Sequence, residues 1–322
     1  MSYLLHLQSR LARGAQQFSP AYKQRQRSFL MSQQHPSGGF CGRRLPEDWW
    51  QNAPEEHGPD LYYTAFALRG LLLVDGVTPE LAQRVADYLY HHLPSPGHAI
   101  DLISWLFSAM VVSWQITSHP LATLPDSWVS DHLQALEQLR APDGGFARTA
   151  GYPHGSTYHS FLITLIYELL GQPLPEPERL IQFLLLQHRE DGGFVEVAAM
   201  RQSGTNPTAA AVALLNQFQA WTPTLRSSIY QFYGSVLCDD GGFAANTRIP
   251  FSDALSTFTS VLTCRDMGWH DLVDQARLAR LLSNWELPSG GYGAAAWDQT
   301  ADAEYTFYGV GLSALLYESS AS

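Results

Sequence analysis

The sequence predicts an all-α fold: a closed α/α toroid (α6–α6) of six helical hairpin repeats with a period of about 49 residues. Three observations carry this. A Gly-Gly-aromatic triplet recurs at Gly38-Gly39-Phe40, Gly144-Gly145-Phe146, Gly192-Gly193-Phe194, Gly241-Gly242-Phe243 and Gly290-Gly291-Tyr292. Its first glycines stand 106, 48, 49 and 49 residues apart, so the doubled first gap places a sixth, degraded unit near Pro94-Ser95-Pro96-Gly97. No stretch shows the period-two alternation of a strand. Hairpins that cannot bury their own faces must stack, and six of them closed into a ring need no polar end caps.

Each unit follows one grammar. An amphipathic outer helix, such as Pro175-Glu176-Pro177-Glu178 through Gln187, has prolines early and a polar end. The dipeptide before the glycines is Pro-Ser, Pro-Asp, Glu-Asp, Asp-Asp or Pro-Ser, which suits a helix C-cap and a chain reversal. A polar loop follows, and then an inner helix that is apolar nearly all round, such as Thr208 through Leu215. Inner helices are expected to begin near Asp60, Ser156, Thr205-Asn206, Ser252-Asp253 and Asp302. Met1 to about Gln34 supplies the first outer helices, and residues 1–322 read as a single domain.

Composition narrows the class. At 45% hydrophobic and 15% charged, the 322-residue chain is not of the disordered kind. Thirty acidic against 19 basic residues give a net charge of −11, the wrong sign for a nucleic-acid binder. Three cysteines, none in a CxxC pair, support neither a disulfide framework nor a zinc ribbon and suit a reducing compartment. The N-terminal MSYLLHLQSRLARGAQQF is interrupted by His6, Gln8 and Arg10, unlike a signal peptide. The most apolar window, Leu102 to Trp114, is too short to span a bilayer and carries three serines. The expectation is a cytoplasmic protein that is not integral to a membrane.

In such a ring the inner helices run parallel and gather their N-termini, with free N–H groups and aligned dipoles, at one rim beside the loops. An apolar funnel with an anion-seeking mouth suits an amphiphile with a hydrocarbon tail and a phosphate head. The middle loops carry Arg148, His154, Arg201 and Arg248, whereas the first and last carry Glu55, Glu56, Asp60, Asp298, Asp302 and Glu304. Candidate catalytic residues are Asp60, Asp253 and Asp302. Candidate substrate-binding residues are His154, His159, Arg201, Arg248, Tyr62 and Tyr158, the aromatics holding a chain or a cation by their faces. Ordinary roles compete: the aspartates serve as N-caps and the arginines as solvated loop charges. His154 and His159 have no third ligand nearby in sequence, so no metal site is expected from them.

The QxxxGGF-like turn followed by a Thr-Ala-rich inner helix resembles the prenyltransferase and squalene-cyclase repeat. Gln33 to Phe40 precedes Tyr63-Thr64-Ala65-Phe66-Ala67-Leu68, and Gln187 to Phe194 precedes Thr208 onward. The likeness covers nearly the whole chain, whose length is similar to that of protein farnesyl- and geranylgeranyltransferase β subunits. It implies a prenyl diphosphate in the barrel and a thiolate activated on zinc, held by an Asp-x-Cys at the fifth inner helix and a His on the sixth. Asp253-Ala254-Leu255 keeps the Asp but not the Cys, and Phe307 stands where the His is expected, so the zinc site is not intact. His154-Gly155-Ser156-Thr157-Tyr158 resembles the family's His-Gly-Gly-Tyr-like diphosphate motif, one repeat early, where the family uses an Arg. Arg248 lies close to, but out of register with, its basic pair.

The cyclase branch protonates its substrate with a DxDD acid, which is absent. Asp60-Leu61-Tyr62-Tyr63-Thr64-Ala65 resembles that segment with tyrosines for two aspartates, and a lone Asp must have its pKa raised by burial alone. Three readings follow. The favoured one is a prenyl-transferring enzyme that binds a prenyl diphosphate or polyprenyl lipid, with His154, Arg201 and Arg248 assisting ionisation. The second is a terpene cyclase started or ended by Asp60, Asp298, Asp302 or Glu304. The third is a non-catalytic isoprenoid-binding or scaffold protein, since fold alone confers no activity. No cofactor is demanded, with Mg²⁺ left open, and a partner subunit or a homodimer is left open by analogy with the heterodimeric transferases.

Overall fold

The computed structural model describes residues 2–43 and 58–318, so Glu55 and Glu56 lie outside the described residues. Among the described residues the chain forms thirteen α-helices and no strand longer than an isolated bridge. Two helices open it, α1 (Tyr3–Ala15) and α2 (Pro20–Ser32). The inner series is α3 (Leu61–Leu73), α5 (Ala99–Ser113), α7 (Thr157–Leu169), α9 (Thr205–Gln217), α11 (Ala254–Met267) and α13 (Ala303–Glu318). Alternating with it come α4 (Pro79–His91), α6 (Trp128–Glu137), α8 (Pro177–Gln187), α10 (Pro223–Val236) and α12 (Gln275–Trp285). No helix among the described residues is long and apolar enough to cross a membrane.

The contacts divide into two compact units. The first comprises Met1–Tyr3, Pro96–Ala99 and Val129–Leu281, and in it α9 packs between α7 and α11. The second comprises Leu4–Ser95, Ile100–Trp128 and Leu282–Ser322. There α3 and α13 lie against each other and both lie on α2, so hairpins from the two ends of the chain are neighbours.

The glycine-aromatic turn is the fastener of each repeat. Its aromatic residue bridges back to the end of the outer helix, as Phe194 does to His188, and forward to the head of the inner one, as Phe194 does to Gly204. The same N–H then donates to a hydroxyl one turn inside the inner helix: Phe40 to Thr64, Phe146 to Ser160, Phe194 to Thr208, Phe243 to Thr257 and Tyr292 to Thr306, at 2.9–3.1 Å. These rings are essentially fully buried. An enclosed N–H without a partner is costly, so the serine or threonine at this position is a structural requirement. Thr208→Val keeps the shape and removes the acceptor. It is expected to destabilise the fold by about 1–3 kcal/mol in a denaturant titration, and an unchanged midpoint would refute the fastening role.

The first glycine of the turn supplies the backbone that no other residue adopts cheaply. Gly192 has φ +90°, and a Cβ there would stand 2.3 Å from the Ser228 carbonyl oxygen on α10. Gly290 has φ +89°, and a Cβ there would stand 2.6 Å from the Arg25 carbonyl oxygen of α2, so the last turn seats on an N-terminal outer helix. The degraded sixth turn is where the spacing put it. Gly97 has φ +86°, with α5 beginning two residues later and no intervening loop. The expected helix heads also appear, with Asp60, Ser156, Asp253 and Asp302 as N-caps; Gly204 caps α9 one residue before Thr205.

Candidate functional site

In the second unit the heads of α3 and α13 bring acids and aromatics together. Asp302 Oδ1 accepts the Tyr305 N–H at 2.7 Å, and Asp60 Oδ1 accepts the Tyr63 N–H at 2.6 Å. Such caps ordinarily favour the ionised carboxylate. Here desolvation outweighs them. Asp302 is 4% exposed, and burial, aided by the charge of Glu304, pushes its carboxyl up to about 7 against the pull of Arg43 at 3.9 Å. Asp60 is pushed up to about 6 by the surrounding protein, with Asp101 and Glu304 adding to the shift. Its side chain nonetheless stays open to solvent, so the acid is crowded but reachable.

Glu304, half-buried and also raised by burial, takes hydroxyl protons from Tyr62 (2.7 Å) and Tyr308 (3.1 Å) on the same oxygen, Oε1. Its Oε2 has no hydrogen-bond partner among the described residues. Below these groups rings accumulate: Tyr62 against Phe66 at 4.8 Å, then Phe66 against Phe307 at 5.7 Å and Tyr308 at 5.5 Å. The Arg69 guanidinium lies over Phe107, Phe66 and Phe307 at 4.7, 5.1 and 5.9 Å, so these faces demonstrably accommodate a cation. Sequence reading named Tyr62, Asp60, Asp302 and Glu304 but passed over Phe66, Arg69 and Tyr308. The signal was there: residues 62, 66 and 69, like 304 and 308, share a helix face by their three- and four-residue spacing.

In the first unit Ser156 caps α7, and Asp253 caps α11 through the Ser256 N–H at 2.7 Å, its carboxyl raised by burial. His154 is exposed, with Nδ1 3.8 Å from Asp143. Arg148, Arg201 and Arg248 are exposed on their loops, and a Gln202–Thr247 hydrogen bond of 2.7 Å makes the Arg201 and Arg248 loops neighbours. No contact among the described residues joins His154, Arg201 and Arg248 to one another. Tyr158, at the surface, meets His159 edge-on at 5.9 Å. His159 is itself bound to Ser156, which contacts Glu196, a residue the sequence reading did not single out.

The residues do not fit the zinc centre of the prenyltransferase resemblance. Among the described residues no three His, Cys, Asp or Glu side chains could hold a metal ion. Leu255 offers no donor, and Phe307, 3% exposed, is committed to the ring cluster.

The helices and the repeated glycine-aromatic turns define an all-α protein built of helical hairpins. The chain belongs to the prenyltransferase α-α toroid domain family, whose model matches residues 2–150 and 154–322. No curated protein matches the sequence. Among solved structures it is similar to Candida albicans protein geranylgeranyltransferase-I complexed with GGPP, at 17% identity over 89% of each chain and a TM-score of 0.66. It is similar, at 15% identity over 98% of this chain and 99% of the other (TM-score 0.61), to a variant of the type II terpene cyclase MstE from Scytonema in complex with geranylgeranyl dihydroxybenzoate. An α-1,6-mannanase from Salegentibacter is also similar, at 12% identity, 92% and 98% coverage and a TM-score of 0.57. At these identities the likeness concerns the fold alone, and the mannanase shows that the fold carries unrelated chemistry.

Proposed function

We propose that the protein is an enzyme that binds an isoprenoid chain and starts a cyclisation by protonating it, as a terpene cyclase does. One observation carries the reading: the Asp60 carboxyl is reachable from solvent and yet pushed up to about 6, at the same helix heads as Glu304 with its Tyr62 and Tyr308 phenols. In that step the Asp60 O–H bond breaks and its proton joins an alkene or epoxide. The cation formed is faced by aromatic rings, and loss of a proton from carbon ends the reaction. Arg69 holds a positive charge against Phe66, Phe107 and Phe307, so Coulomb repulsion disfavours a substrate cation at the rings it already covers. Negative charge on the neighbouring Asp101 and Glu304 adds to the effect of burial and helps Asp60 retain its proton. Two similar structures hold geranylgeranyl compounds, which supports a chain of that class as substrate.

The neighbouring Arg201 and Arg248 loops favour a second reading, in which they hold a diphosphate for prenyl transfer. Purified protein incubated with geranylgeranyl diphosphate and with a geranylgeranyl phenol that lacks the diphosphate, with and without Mg²⁺ or Zn²⁺, separates the two. A cyclic isomer of unchanged mass, formed without metal, is the expected result. Release of diphosphate with an adduct would replace it by transfer. Lipid retained unchanged would make the chain a binding module and overturn the enzyme reading.

A further inference from the structure

A second acid-base assembly stands in the first unit, built from residues 40 apart in sequence. Glu196 follows the third glycine-aromatic turn by two positions and is clamped on the head of α7. Its carbonyl accepts the Thr157 N–H at 2.9 Å, and the Val195 carbonyl accepts the Thr157 hydroxyl at 2.8 Å. Its carboxylate Oε1 takes the Ser156 hydroxyl and lies 3.4 Å from the Tyr158 N–H. Ser156 Oγ in turn accepts the His159 main-chain N–H at 3.0 Å and stands 3.0 Å from His159 Nδ1.

Proton counting fixes the direction of this chain. A serine hydroxyl has one hydrogen, and an ionised carboxylate only accepts. With Glu196 ionised, the Ser156 hydrogen points at Glu196, so the hydrogen between Ser156 and His159 belongs to Nδ1. Nε2 is then a bare lone pair with no partner among the described residues. Burial, first, and the positive charge of Arg148, second, disfavour the imidazolium, so the ring stays neutral. Arg148 is exposed and forms no ion pair among the described residues.

We propose that Glu196, Ser156 and His159 form a proton wire, in which His159 Nε2 removes a proton from a bound hydroxyl compound, a phenol above all. As Nε2 takes the substrate proton, the Nδ1 proton passes to Ser156 Oγ and the Ser156 proton passes to Glu196. No imidazolium persists, and the substrate keeps the electron pair of its broken O–H bond as an oxyanion beside the Arg148 guanidinium. Burial raises the proton affinity of Glu196, as the terminus of such a wire requires. Tyr158 offers a phenol a ring to lie against. His159 is the base, and Glu196 and Ser156 are positioning residues that act through it. The wire rests on this constellation alone and stands whether or not Asp60 is the acid of the second unit.

The test uses the whole protein and needs no turnover. Imidazole nitrogen resonances should show His159 protonated at Nδ1 and bare at Nε2; the opposite tautomer overturns the wire. Titration with 4-nitrophenol below its own pKa should show the bound probe as the coloured phenolate. His159→Gln should shift the bound probe's ionisation by about one pKa unit, a tenfold change. Glu196→Gln, which can still accept the Ser156 hydroxyl, should lose most of the phenolate while its far-ultraviolet spectrum stays that of the wild type. A probe bound only as the neutral phenol, or equal phenolate in wild type and His159→Gln, refutes the proposal.

Discussion

Asp60→Asn is expected to lower turnover by about two to four orders of magnitude, the usual share of a general acid, with little loss of stability. Asparagine caps a helix as well as aspartate does, so its side-chain oxygen can still accept the Tyr63 N–H now held at 2.6 Å. What disappears is the proton. The wild-type rate should be full at low pH and fall as pH rises through about 6, where the crowded carboxyl ionises. A pH-rate profile of kcat on a geranylgeranyl substrate measures this directly. A rate that climbs through that range would mean Asp60 acts as a base, and an active Asp60→Asn protein would transfer the acid's role to Glu304 or Asp302.

The second large effect concerns stability and has the opposite appearance, since removing a charge should strengthen the protein. The Asp302 carboxyl ionises near 3.8 ordinarily and near 7 when folded, because folding buries it. Between those values the folded chain holds a proton that the unfolded chain has released, so stability falls as pH rises. The favourable contribution is intact below about 4 and gone once pH has passed 7. At about 1.4 kcal/mol per pKa unit the loss amounts to at most about 4 kcal/mol. Asp302→Asn has no such proton to lose and retains a capping oxygen, while Arg43 keeps its 3.0 Å partner Asp298. The variant should therefore outlast the wild type in denaturant at about pH 8 and lose that advantage at about pH 4. A wild type that gains stability relative to the variant between these limits would show that Asp302 is ionised in the fold.

Much of this architecture was readable because its determinants are local. An aspartate or serine followed by an apolar run marks a helix head through the N–H groups three residues on, which is why Asp60, Ser156, Asp253 and Asp302 stood where expected. Counting glycines located even the degraded turn at Gly97. The loss of a zinc centre was equally plain at Leu255 and Phe307, since neither side chain can donate to a metal. Arg201 and Arg248 are exposed on their loops, and a sequence displays such charges without showing which groups come to lie beside them. The pairings that give the heads their chemistry were hidden for another reason. Ser156 meets Glu196 across 40 residues, and Arg69 meets Phe107 and Phe307 on two other helices. Such encounters depend on how repeats dock, and no window of the chain contains both partners.

The seating of the last turn on α2 and of α13 against α3 sets a timetable for biosynthesis. Tyr62 and Glu304, joined by a hydrogen bond, are 242 residues apart. At a ribosome's pace of roughly 5–20 residues per second, an N-terminal hairpin waits on the order of tens of seconds for the helix that covers it. Throughout that interval Phe66 of α3 lacks the Phe307 and Tyr308 rings that it will meet. The nascent chain thus spends its synthesis with apolar surface uncovered, and a premature stop anywhere before α13 would strand it in that condition.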